Sequence, residues 1–458
     1  MKAKLPFFDD YYVAARPKTE RRVFSPERLG EFHDVDALLQ LYTSFFFDPY
    51  VNKYRLYYES PIKGKGTEVR ALKLAMCDSI DELLSGKVEI TTVTGIDDLH
   101  GIHGASVTYV PDAEPSRRYI FLGNYHADNR QLRNFICAFS ADGISFSTPS
   151  PVYPEAPDYK DTYNSVYYDP YRKELVATTR CATVDRRIAI IHSHDGIHWS
   201  EPELMFHPSS KGNWGEQHYA LGVSHLDGIF YGILWRFITD LDQPDFTDMG
   251  GLMENDLLYS YDGRCFAPTD LSPLVTRPPE PIYGCKQLWL LNMEQEGDRY
   301  VICGGASRIA HGSSYAENDK FAATVFYGIR KDGFCALEGR GEDSIVYLKP
   351  ILFEGGDIIL NTDASSGSVS LAITEVNGDP IEGFGFDDCY AIEGKDTVEG
   401  RIAFRSASLD SLSGRRVRFA IRLNNALLYS VSFEGRPFLH ASRPQHSFND
   451  PRHTSIEK

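Results

Sequence analysis

SFFFDPYVNKYRLYYES, from Ser44 to Ser60, and NSVYYDPYRKELVATTRC, from Asn164 to Cys181, are one device written twice. Each is an aromatic or β-branched run, an Asp-Pro turn and a second such run, which is the signature of a hairpin. Looser copies are ASVTYVPDAEPSRRYIFLGNY from Ala105, LGVSHLDGIFYGILWRF from Leu221 and LWLLNMEQEGDRYVICGG from Leu288. Counted from Phe45, Val107, Val166, Val223 and Leu290, the steps are 62, 59, 57 and 67 residues. A period near sixty in a strand-rich chain predicts radial repetition with one four-stranded blade per period, hence a five-bladed β-propeller.

A second element recurs between the hairpins: SADGISFSTP from Ser140, SHDGIHWSEP from Ser193 and SYDGRCFAP from Ser260. Asp142, Asp195 and Asp262 are placed to accept backbone hydrogen bonds in a tight turn, and Gly143, Gly196 and Gly263 to adopt positive φ. A fainter copy, RKDGF with Asp332 and Gly333, is expected to end the fifth unit, and CDSIDEL holds the equivalent place in the first. These acids are read as turn formers, as are Asp48 and Asp169 in the Asp-Pro turns.

After about Gly341 the texture changes. ILFEGGDIILNT, SVSLAITEV, RIAFRS, RVRFAIRL and LLYSVSFE alternate with turn-rich links, which predicts a β-sandwich. The expected organisation is all-β: a five-bladed β-propeller over 1–340, a β-sandwich over 341–440 and a polar tail over 441–458.

The chain has 458 residues with a net charge of −17. That charge argues against nucleic acid or an anionic membrane as partner, because phosphate binding needs a basic surface. Tyr and Phe, at 27 each, favour strands and stacking on sugar faces. The eight cysteines form no C-x-x-C pair, so they are expected to be buried reduced thiols and no metal site is predicted. MKAKLPFFDDYYVAARPK, at the start, has no apolar stretch of signal-peptide length, and a cytoplasmic location is expected.

Blades written Asp-Pro…Lys-Tyr-Arg-x-Tyr-Tyr, joined by Ser-x-Asp-Gly turns, resemble the five-bladed propellers of glycoside hydrolase families 43 and 32. The resemblance is closer to uncharacterised relatives with an added C-terminal sandwich, on FFDDYYV from Phe7, GSVSLAITEVNGDPIEGF from Gly367 and NALLYSVSF near Tyr429. The Trp-x-Asn-Asp-Pro-Asn-Gly, Arg-Asp-Pro and Glu-Cys motifs of family 32 are absent. The resemblance implies hydrolysis of a glycosidic bond in a short oligosaccharide, exo-acting on an arabino- or fructofuranoside.

Glycosidic cleavage needs two carboxyl groups, so acids just before the first strand of a blade are the candidates. EFHDVDALLQLYTS supplies Glu31, Asp34 and Asp36, DYKDTYNSVYYDP supplies Asp158 and Asp161, and NWGEQHYALGVS supplies Glu216. By resemblance to the Asp, Asp, Glu set of family 43, Asp36 (or Asp34) is the base, Asp161 the modulator and Glu216 the acid. His100, His103, Trp214, His218, Tyr283, Lys286, Trp289, Arg308 and His311 are candidates to line the funnel, with His103, Trp214, His218, Tyr283, Arg308 and His311 assigned to substrate. No cofactor is required; a structural cation in the channel and a homo-oligomer are left open. A sialidase-like hydrolase is the rival enzyme, with Arg180, Arg236 and Arg308 clamping a carboxylate. A non-catalytic sugar-binding propeller is the rival from another class.

Overall fold

The computed structural model describes residues 2–34, 40–62, 69–96, 101–126, 133–153, 162–180, 186–205, 216–239, 250–313 and 320–437. These are almost entirely β, with short helical turns such as Ile80–Leu84. That helix lies in CDSIDEL, where Ser79 caps it by accepting from the Glu82 N–H.

The chain divides into two units, 25–329 and 1–24 with 330–458. The larger is built of antiparallel meanders. The first runs Leu41–Asp48, Lys53–Pro61, Arg70–Cys77, Glu89–Thr92. The second runs Ile102–Tyr109, Tyr119–His126, Arg133–Ser140, Ser150–Pro151. The third runs Ser165–Asp169, Glu174–Arg180, Ile188–Ser193, Glu203–Leu204. An eight-stranded sheet supplies the rest. A single parallel pair, Met253 with Gln287, joins its two halves. One half is Glu216–Leu226, Ile229–Thr239, Gly251–Ser260 and Ala267–Pro268. The other is Gln287–Glu296, Arg299–Ser307, Ala322–Arg330 and Glu27–Phe32, so a strand from early in the chain completes the last meander.

The first strand of each meander contacts the first strand of the next, and the fifth returns to the first. A hydrogen bond fixes each step. The Val107 N–H donates to Ser44 Oγ (3.0 Å), Val166 to Ser106 (3.0 Å), Val223 to Ser165 (3.2 Å) and Met293 to Ser224 (2.8 Å). Asn292 Oδ1 completes the series by accepting from Phe45 (3.1 Å). The sequence count took Leu290 as the fifth mark; the equivalent position is Met293, three residues on, after a bulge between Leu290 and Asn292.

The Ser-x-Asp-Gly turns form as their chemistry requires. Asp142 Oδ1 accepts from the N–H of Ile144 and Ser145 (2.8 Å each), and Ser140 Oγ accepts from Gly143, which sits at φ 75°. Asp195 and Asp262 repeat the pattern. Burial alone would raise the Asp142 pKa, but these N–H donors outweigh it and hold the carboxylate below its usual range. Asp48 and Asp169 are turn formers too, accepting from the Tyr50 and Tyr171 N–H groups.

The smaller unit is an 11-stranded assembly around one apolar cluster that includes Leu5, Phe7, Phe353, Ile358, Phe419 and Phe433. It differs from the boundary read at 340/341. Lys2–Pro6 pairs with residues 430–434, Val13–Ala15 with Ile345–Leu348 and Thr19–Val23 with Cys335–Gly339. The reason is burial: Leu5, Phe7 and Val13 fill the C-terminal core and strand pairing follows them. Asp332 accordingly belongs here, accepting from Lys4 Nζ (3.0 Å) and Ser430 Oγ (2.7 Å) instead of ending the fifth meander. Cys77, Cys137, Cys285, Cys303, Cys335 and Cys389 are buried free thiols as expected. Cys265 is instead exposed, because it follows Gly263 on the surface turn; Cys181 lies outside the described residues.

Candidate functional site

The leading ends of four of the five first strands are irregular for a common reason. Bulges lie between Leu41 and Ser44, opposite Leu122–Asn124, between His218 and Ala220, and between Leu290 and Asn292. A bulge inserts a residue and re-aims side chains. Here it re-aims Tyr42, held at φ 46°, and Tyr219. Gly104, at φ 62°, is the point where the second meander meets the third. A Cβ there would lie 1.7 Å from the Thr162 carbonyl oxygen, so no other residue fits without moving the backbone.

The outcome is a largely buried aromatic cluster, the floor of these ends, in which Tyr42, Tyr219 and Trp289 keep a small exposed edge. Tyr42 stacks on Tyr163 (centroids 6.3 Å, planes 7° apart) and on Trp235 (6.0 Å). Tyr163, Tyr219 and Trp289 lie 6.1, 6.1 and 6.4 Å from Trp235. Trp235 is wholly buried, and its indole N–H donates to the Leu290 carbonyl (2.7 Å), tying the fourth meander to the fifth.

Polar groups surround the floor. His103 packs edge-on to Tyr42 (5.0 Å), with Nδ1 3.0 Å from Arg70 Nη1. Arg70 in turn reaches Glu59 (3.3 Å), whose other oxygen accepts from the Ala105 N–H (2.8 Å). Burial pushes the Glu59 pKa up, against the opposing pull of Arg70. Across the floor, His311 Nε2 lies 3.3 Å from the Tyr219 hydroxyl. The guanidinium groups of Arg180 and Arg186 sit 5.0 and 5.2 Å from the Tyr219 ring centre. Arg186 donates to Gln217 Oε1 (2.8 Å), directly beside Glu216.

His103 and His311 therefore both lie against this cluster, beside Tyr42 and Tyr219. His218 is buried, and its main-chain N–H donates to the Arg186 carbonyl (3.2 Å). Tyr283 and Arg308 form a separate group: the guanidinium lies 4.5 Å from the ring centre, and both side chains donate to the Lys320 carbonyl. Arg28, Glu31 and His33 complete that group. Glu216 opens the strand Glu216–Leu226, opposite Ile238, and its backbone alone is described. Asp36, Asp158, Asp161, His100 and Trp214 lie outside the described residues. Asp34 is buried, accepting from Tyr58 Oη (2.8 Å) and Lys73 Nζ (2.6 Å). Lys286 pairs with Glu280.

Among the described residues the three arginines of the sialidase reading have different partners. Arg236 is held by Glu254 (2.9 Å) and Asp256 (3.1 Å), Arg308 by Tyr283, and Arg180 lies over Tyr219. Among the described residues no three His, Cys, Asp or Glu side chains gather to hold a metal ion. Sequence reasoning missed Tyr42, Tyr163 and Tyr219. The available signal was Tyr-x-Ser at Tyr42-Thr43-Ser44 and Tyr163-Asn164-Ser165, just ahead of the aligned hydrophobic residues.

No protein-family model matches the chain, and no curated protein matches it. Solved structures that match include an N-acetylgalactosamine deacetylase from F. plautii, at 11% identity over 69% of this chain and 97% of that one, TM-score 0.46. Another is the catalytic domain of a GH62 α-L-arabinofuranosidase from Coprinopsis cinerea, at 10% identity over 67% and 97%, TM-score 0.43. A third is a Bombyx mori GH32 β-fructofuranosidase, at 12% identity over 94% and 95%, TM-score 0.42.

Proposed function

We propose that the chain is a glycosidase whose catalytic part, 25–329, is a five-bladed β-propeller and whose remaining strands form a β-sandwich. The observation that carries the reading is the aromatic floor at the leading ends of the five first strands, beside the point where Glu216 opens the fourth. Flat rings edged by imidazole, guanidinium and amide groups suit a sugar, whose C–H faces stack while its hydroxyls take hydrogen bonds. Glu216 is the proposed acid, Asp36 the base and Asp161 the modulator, acting on the end of a short oligosaccharide carrying an arabino- or fructofuranoside. Two guanidinium groups over Tyr219 favour, as a second reading, a substrate whose sugar bears a carboxylate.

The test is release of sugar from aryl furanosides, aryl pyranosides and uronate- or sialate-bearing oligosaccharides by wild type and Glu216→Gln. Cleavage that Glu216→Gln abolishes is expected. Cleavage retained by that variant overturns the assignment of the acid. Sugar binding without cleavage by either protein overturns the enzyme reading in favour of a binding module.

A further inference from the structure

The same five first strands have a second mouth, at the ends opposite the aromatic floor. A cavity of about 220 Å³ opens there, lined by residues from all five strands, among them Phe46, Phe47, Tyr109, Tyr168, His225 and Glu294. The glycosidase reading makes no use of it.

Its charge balance is incomplete. Two nearby acids have cations of their own: Asp48 has Arg55 (2.5 Å) and Asp169 has Arg172 (2.8 Å). Glu294 differs. Its carboxylate accepts only main-chain N–H groups, from Phe47 (2.9 Å) and Gln295 (2.8 Å), and no cationic side chain pairs with it among the described residues. A carboxylate takes about four hydrogen bonds, so acceptor capacity is left over. Asp227, a charge of the same sign, also acts on it and raises its pKa further. His225 also lines the cavity; its Nε2 is shielded from solvent and makes no hydrogen bond among the described residues. Burial holds this imidazole below its ordinary pKa, so it adds no positive charge.

We propose that this cavity binds a small organic cation, an alkylammonium or quaternary ammonium group. Glu294 supplies the counter-charge, and the rings of Phe46, Tyr109 and Tyr168 receive the alkyl groups. An aromatic lining with one anionic group is the environment that favours such a cation over a neutral molecule of the same shape. The raised Glu294 pKa, about 7, follows from burial without a compensating positive charge, and a bound cation lowers it.

Choline chloride is the probe, with 3,3-dimethyl-1-butanol as its uncharged isostere, titrated calorimetrically against the whole chain at constant ionic strength. Saturable choline binding is expected, with the alcohol and Glu294→Gln each weakening it roughly tenfold or more. Near pH 6.5 choline binding is expected to release protons, read as a dependence of the heat on buffer ionisation enthalpy. The charged and titratable groups around Glu294 and His225 are Asp227, Asp169, Tyr54, Tyr109, Tyr167 and Tyr168, and an imidazole such as His225 ordinarily titrates near this pH. His225→Gln, expected to keep the release, isolates Glu294. Absent choline binding, equal binding of the alcohol, or unweakened binding by Glu294→Gln overturns the proposal. Should Glu294→Gln fail to fold, absence of proton release by wild type overturns it equally.

Discussion

Ser44 Oγ accepts the Val107 N–H at 3.0 Å, and this contact between neighbouring first strands is repeated by Ser106 with Val166, Ser165 with Val223 and Ser224 with Met293. Neighbouring first strands are not paired in one ladder, so a buried N–H between them needs a side-chain acceptor. Serine is the shortest residue that provides one. Ser165→Ala leaves the Val223 N–H buried without a partner, and is expected to cost about 1–3 kcal/mol. Urea denaturation measures this as a lower midpoint at unchanged slope. A midpoint equal to wild type would show that the contact does not hold adjacent strands together.

Asp48 separates turn chemistry from catalysis. It is wholly buried, and its Oδ2 accepts from Arg55 Nε and Tyr119 Oη at 2.5 Å each, with the guanidinium 4.6 Å from the Tyr119 ring centre. Asp48→Asn leaves a buried guanidinium uncompensated and is expected to cost about 3–5 kcal/mol. Turnover per folded molecule is expected to be unchanged. A variant of normal stability with lost turnover would place Asp48 in the site.

Glu294 makes stability depend on pH in an unusual direction for an acid. Burial raises its folded pKa from 4.5 to about 7, against the N–H groups of Phe47 and Gln295 that favour the charged form. The folded chain therefore holds this proton more tightly than the unfolded one. Its contribution is complete below pH 4.5 and is lost as pH rises through 7. Glu294→Gln, neutral at every pH, is expected to match wild type near pH 4.5 and to exceed it at pH 8 by a few kcal/mol at most. Denaturation curves at the two pH values decide it; a variant weaker than wild type at pH 8 shows that the charged form is the one the fold prefers.

The meanders were legible in the sequence because strand alternation, Asp-Pro turns and Ser-x-Asp-Gly turns act locally, over a few residues. Asp142, Asp195 and Asp262 do what their turn chemistry dictates. The division of the chain was less legible: pairing of Lys2–Pro6 with residues 430–434 spans nearly the whole sequence, and no local pattern encodes it. The floor lies between these extremes. Tyr42 and Tyr219 point to it only because bulges re-aim them, and a bulge is a property of two paired strands. Glu59, read as part of a hairpin, gains its link to Arg70 and His103 from three strands meeting.

Tyr219 tests the floor itself. Its ring lies under Arg180 and Arg186, 6.1 Å from Trp235 and edge-on to Phe237 at 5.7 Å, while its hydroxyl lies 3.3 Å from His311 Nε2. Tyr219→Phe keeps every ring contact and is expected to change stability by no more than about 1 kcal/mol. Tyr219→Ala removes the platform; it is expected to cost about 3–5 kcal/mol in stability and, in the folded fraction, to lower kcat/KM for a sugar substrate about tenfold. Because a lost stacking surface weakens ground state and transition state alike, the kinetic loss is expected in KM, with kcat nearly preserved. Steady-state kinetics of the two variants, referred to the folded concentration, separate ring from hydroxyl. Wild-type kcat/KM in folded Tyr219→Ala would remove the floor from the substrate's path, and with it the reading of this end of the first strands as the sugar site.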